Sequence, residues 1–197
     1  MNELLAMVSF SLVMSISPGP VNMIIISSGI NNGFRKTFSF ISGATIGFTL
    51  LLGFIGLGFY KTIELFPSFL TTLSFFGSSF IIYMGYKIMN SQSSLDIDES
   101  KKRIPKFHEG FLLQWLNPKA WIASISGVSL FSSSETMLLT FIFVYFFLCY
   151  IGLSFWGILG DKISGFFKIE KRLKVFNFLM GSLLIVTAIY LFYIQFF

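Results

Sequence analysis

Two short segments of this 197-residue chain combine residue types that could hold a small zwitterion or anion: Ser17-Pro18-Gly19-Pro20-Val21-Asn22 and Gln114-Trp115-Leu116-Asn117-Pro118-Lys119. Each proline lacks a backbone N–H, and Gly19 brings neither bulk nor restraint on φ, so a helix crossing either segment is expected to break. Pro20 suits the first position of a new helix, whose positive end then faces the break and favours an anion. Lys119 adds a full cation, while Asn22, Gln114 and Asn117 add carboxamides that both donate and accept. These groups can recognise a carboxylate together with an ammonium. The plainer alternative for the first segment is a kink that only shapes packing.

The remaining chemistry-bearing residues exclude more than they offer. Cys149 is the single thiol, which rules out an intramolecular disulfide, a paired-cysteine redox carrier and a thiolate metal cage. His108 is the single imidazole and sits among charged residues, as a solvated loop histidine would. A Ser–His hydrolase needs such a residue at the depth of its nucleophile. No metal site, no cofactor and no catalytic set is expected, although an enzyme using Lys119 as nucleophile stays conceivable.

The elements that must position these residues follow from composition. Hydrophobic residues make up 54% of the chain, charged residues only 12%, and 27 residues are Phe; mean hydropathy is +0.79. A soluble domain of this size has too small an interior to hide that much apolar surface, so the lipid bilayer is the expected solvent. Charge-free runs of about 20 residues span the hydrocarbon. They read as Leu4–Phe34, Thr37–Tyr60, Leu65–Tyr86, Gly110–Ser134 (interrupted only by Lys119), Thr136–Gly160 and Val175–Phe197. The first lacks a basic flank and continues past Pro20, so it reads as a membrane segment and not a leader. The fold expected is all-α and polytopic, one transmembrane domain over 1–197. Its halves cover about 1–89 and 109–197, joined by a polar linker over about 90–108.

The net charge of +5 would suggest nucleic acid in a soluble protein, but here its distribution reports topology. Arg35 and Lys36, then Lys87, Lys101, Lys102, Arg103 and Lys106, then Lys162, Lys168, Lys171, Arg172 and Lys174 follow spans one, three and five. Only Lys61 lies on the other side. Both termini are therefore expected outside the cytoplasm, with no nucleic-acid partner. Lys119 is the exception: with span four starting at Gly110 it lies about 14 Å along the helix, close to the bilayer midplane. An intramembrane cation is costly and marks function by default. A later start to the span would make it an ordinary interfacial anchor.

Six spans divide into two sets of three, which necessarily run in opposite senses. Pro18 and Pro118 stand at corresponding places in spans one and four, and Phe76-Gly77-Ser78 parallels Met180-Gly181-Ser182 in spans three and six. Two proline-broken helices in matching positions are the pattern of an inverted repeat with a transport site at the midplane. Gly43 and Gly47 form a small-residue stripe on span two, suited to close helix packing, beside Ser42, Thr45 and Thr49 on one face. Ser124, Ser126 and Ser129 line a cavity or bond back to their own helix. Trp121 and Trp156 fit an interfacial belt or the core equally well.

The Pro18-Gly19-Pro20 motif with Asn22, followed by Gly33-Phe34-Arg35-Lys36, resembles the lysine exporter (LysE/RhtB) family of small bacterial transporters. Gly110-Phe111-Leu112-Leu113 with Asn117-Pro118-Lys119, Tyr83-Met84-Gly85 and Gly181 extend the resemblance over nearly the whole chain. It implies an inner-membrane exporter of amino acids or close analogues, driven by the proton gradient, with Pro18, Gly19, Pro20, Asn22, Asn117, Pro118 and Lys119 at the substrate. One departure matters: Thr136–Gly160 holds no carboxylate, where some relatives carry one. The function expected is export of a neutral or small polar amino acid by alternating access, with Gln114 joining the site and the proton as coupling ion. Whether the chain assembles as a homo-oligomer is open. Export of metal or other inorganic cations is the alternative. It fits poorly, because a cation site wants carboxylate, thiolate or imidazole ligands, and Lys119 would repel the ion.

Overall fold

The computed structural model describes residues 2–59, 67–90 and 104–196; the linker residues 91–103 and Lys61 fall outside them. Among the described residues there is no strand. Eight α-helices follow in order: α1 (Asn2–Ile16), α2 (Pro20–Asn32), α3 (Phe34–Phe54), α4 (Pro67–Met89), α5 (Phe107–Trp115), α6 (Pro118–Phe131), α7 (Glu135–Ile163) and α8 (Glu170–Phe196). A wider turn, Ile55–Phe59, extends α3, and a tighter one, Ser164–Lys168, joins α7 to α8.

The helices at Phe34–Gly58, Glu135–Lys168 and Glu170–Tyr190 are long and apolar enough to cross a bilayer. The α1/α2 pair, bent by 61° at its break, is long and apolar enough when its two helices are taken together. Large apolar side chains also cover the outer surface: Leu5 is 67% exposed, Phe143 65% and Ile122 63%. Lipid accommodates that surface where water would not. The chain is an all-α, multi-pass membrane protein.

Both expected breaks are present, and each new helix opens on a proline, Pro20 for α2 and Pro118 for α6. The helix-opening residue of the first break is thus Pro20, where the sequence comparison had aligned Pro18 with Pro118. The fourth segment starts earlier than its charge-free run. Helix α5 begins at Phe107 because the Glu109 carboxylate accepts the Lys106 backbone N–H at 2.9 Å, capping the first turn. His108 is accordingly exposed on a helix instead of in a loop.

Glycine permits the closest contacts between helices. On α3, Gly43 and Gly47 press on the backbone of Phe107 and Phe111, while Gly110 of α5 presses on that of Phe40. Gly29 of α2 meets Gly157 and Gly160 of α7, and Gly85 of α4 meets Gly181 of α8. A methyl group at Gly85 would lie 2.8 Å from the Gly181 carbonyl oxygen, and one at Gly181 2.5 Å from that of Gly85. Those seams bring both breaks against α3 and α7.

Candidate functional site

A break inside a membrane span leaves carbonyls that must find donors or water. At the end of α1 every one of five successive carbonyls has a donor. The Ser17 hydroxyl donates to Met14 O (3.2 Å), and the Asn22 carboxamide to Ser15 O (2.9 Å). The Trp156 indole of α7 donates to Ile16 O (3.0 Å). The Lys119 ammonium donates to Ser17 O (2.8 Å), Ser17 Oγ (2.7 Å) and Pro18 O (3.3 Å). Those three bonds use all three donors of the ammonium. Its positive charge also sits at the negative end of α1, where a helix dipole favours a cation.

The second break is closed by its own neighbours. Asn117 accepts the Lys119 backbone N–H through its side chain at 3.1 Å, a helix cap. Asn117 N donates to Gln114 O, Leu116 N to Leu112 O, and the Trp121 indole bridges the break to Trp115 O at 2.7 Å. By contrast α2 has no side-chain cap at Gly19. Gly19 is extended there (φ −167°), a conformation open to any residue, so its smallness serves space: a methyl group would lie 3.2 Å from Lys119 Nζ.

Between the breaks lies a cavity of about 40 Å³. Gly19, Asn22, Gln114, Asn117 and Lys119 all line it, with Met14, Ser15, Phe48, Tyr145, Cys149 and Leu153 from α1, α3 and α7. Pro18, Pro20 and Pro118 shape it instead: Pro18 lends its carbonyl to Lys119, and the other two open the half-helices. The volume is that of a water molecule or two, well short of a ligand pocket. Gln114 is buried and makes no side-chain hydrogen bond among the described residues. Lys119 is the one charged residue of this lining, half-buried. Among the described residues no three of His, Cys, Asp and Glu gather as metal ligands.

Sequence reasoning missed Ser15 and Tyr145, and it gave Ser17 and Trp156 no role of their own at the site. A count of the carbonyls that a break frees would have asked for donors in the spans, and Trp156 carries one of few. Toward the other end of α2 lies a second buried polar group. The Asn31 and Asn177 carboxamides exchange hydrogen bonds (3.0 and 3.3 Å) between α2 and α8, and Ser27 donates to Asn177 at 3.4 Å.

A membrane-embedded site built from two interrupted helices is the arrangement of a transporter, and the family comparison agrees. Residues 12–195 match the model of the LysE type translocators, and the chain belongs to that family. It is a transporter and not an enzyme. Relatives of similar length include the cysteine/O-acetylserine efflux proteins of Escherichia coli (strain K12) and of Shigella flexneri serotype 5b (strain 8401). Each is 27% identical over 94% of this chain and 95% of its own. No solved structure matches the chain.

Proposed function

We propose that the protein exports a neutral amino acid or close analogue across the bacterial inner membrane, coupled to the proton gradient. The observation carrying this reading is the Lys119 ammonium, which crosses from the second break to bond the carbonyls of the first. A substrate carboxylate competes for that ammonium. It offers a stronger, charge-assisted bond than a carbonyl does, and taking the lysine away releases the end of α1. Binding is thereby linked to movement of one broken helix against the other. At about 40 Å³ the cavity is smaller than an amino acid, so α1 and α2 must move before a substrate enters. Asn22, Gln114 and Asn117 are placed to hold the zwitterion once it does.

Loss of the lysine proton abolishes the attraction, which gives a route to proton coupling without a buried acid. The names of the relatives point to small polar substrates. Rocking of two inverted halves about the site supplies alternating access. The opposed packing of Gly85 on Gly181 supports such a pairing of spans three and six, in a register other than Gly77 with Gly181. Basic-residue placement supports both termini outside the cytoplasm. Among the lining residues only the Cys149 thiol would serve a metal ion, so cation export gains no support.

The test is gradient-driven efflux of amino acids from proteoliposomes carrying wild type or Lys119→Met. Efflux by the wild type and its loss in the variant are expected. Unchanged efflux by the variant would remove the lysine from the mechanism.

A further inference from the structure

The cavity lining also holds polar atoms that the carboxylate and ammonium contacts leave unused. We infer that Ser15, Tyr145 and Cys149, backed by Thr45, form a subsite for the substrate's side chain, selecting a short uncharged group that itself hydrogen-bonds. This assignment rests on the amino-acid exporter reading and adds to it the part of the substrate that decides selectivity.

The argument begins with what serine and threonine ordinarily do inside a span, which is to bond the carbonyl one turn back. Ser11 does so to Met7 O at 2.7 Å, Thr49 to Thr45 O at 2.9 Å and Thr140 to Thr136 O at 2.8 Å. The hydroxyls of Ser15 and Thr45 do not: they turn toward Tyr145 and Cys149 instead, without closing a hydrogen bond of good geometry among the described residues. Ser15 is 5% exposed and Thr45 fully buried, so water in bulk does not serve them. Ser78 and Ser124 are also unpartnered, but neither lines this cavity. Ser15 does, facing Tyr145 and Cys149, and Thr45 faces Cys149 from α3. A buried hydroxyl left unpaired costs stability, a cost recovered when a bound group completes it.

The surroundings set the size and charge of that group. The Phe48 and Tyr145 rings stack at 4.4 Å and close one side as a flat wall, and Leu153 closes another. Lys119 is the one ionised group of the lining and is taken by the substrate's carboxylate, so a charged side chain would be buried without a partner, at high cost. An apolar side chain would leave the Ser15 hydroxyl without a well-formed bond. A hydroxyl or thiol one carbon from the substrate's Cα satisfies it.

The experiment uses the full chain in proteoliposomes loaded in turn with serine, cysteine, alanine and lysine. The wild type is expected to release serine and cysteine faster than alanine, and lysine slowest. Ser15→Ala and Tyr145→Phe are each expected to lower the serine-to-alanine ratio about tenfold, since a site built for a hydroxyl loses its discrimination with its partner. Thermal unfolding of purified Ser15→Ala gives a second reading: removing a buried hydroxyl that lacks a well-formed bond should leave the midpoint unchanged or raised. Wild-type release without preference, or equal slowing of all four compounds by both variants, overturns the subsite. Release of none of the four by the wild type overturns the exporter reading, and the subsite with it.

Discussion

At the second break the chain repairs itself within about one turn. Asn117 caps α6, and the Trp121 indole reaches back to Trp115. At the first break Ser17 and Asn22 serve two carbonyls from nearby, but the rest depend on donors from afar, Trp156 standing 140 residues from Ile16 and Lys119 102 from Ser17. Locally capped ends behave as fixed geometry, because nothing distant can uncap them. Ends capped from other helices report on where those helices stand. The first break is therefore suited to sense a substrate, and the second to hold the lysine that does the sensing.

Substitutions can break this contrast. The largest effect is expected from Lys119→Met, which strips two carbonyls at the first break of their donor and removes the charge. Gradient-driven efflux should fall roughly ten- to hundredfold, the worth of a charged hydrogen bond. Next comes Trp156→Phe, which leaves the Ile16 carbonyl bare and should cost about 1–3 kcal/mol in thermal unfolding of the purified protein. Asn117→Ala removes a helix cap and should cost about 1 kcal/mol, less than Trp156→Phe. A larger loss from the cap than from the indole would reverse the ordering of the two breaks. The smallest effect belongs to Gly19→Ala, whose backbone is unstrained. The added methyl crowds the Lys119 ammonium, so efflux should slow severalfold while stability changes by under about 0.5 kcal/mol.

The breaks themselves were legible in the sequence because proline chemistry is local. The grouping of Gly19, Asn22, Gln114, Asn117 and Lys119 also followed from types and spacing, since the two proline segments meet. Helix limits were less accurate. Helices α5 and α8 continue past their charge-free runs to Phe107 and Glu170, because charged residues remain good helix formers where the hydrocarbon ends. The identity of the donors was hidden for a different reason. Which side chain from α7 reaches Ile16 depends on the glycine seams and on how close two backbones come, a property of pairs of helices. Ser15 and Tyr145 escaped notice likewise, since a serine that declines its usual backbone bond looks in sequence like any other.

The distant repair of the first break also constrains how the protein is made. Ribosomes add about 5–20 residues per second, so roughly 7 to 28 s separate the synthesis of Ile16 from that of its donor Trp156. Throughout that interval the end of α1 holds carbonyls that lipid cannot solvate. The first helices must wait beside water, at the insertion machinery or the membrane surface, and they settle into the bilayer core only once α6 and α7 arrive.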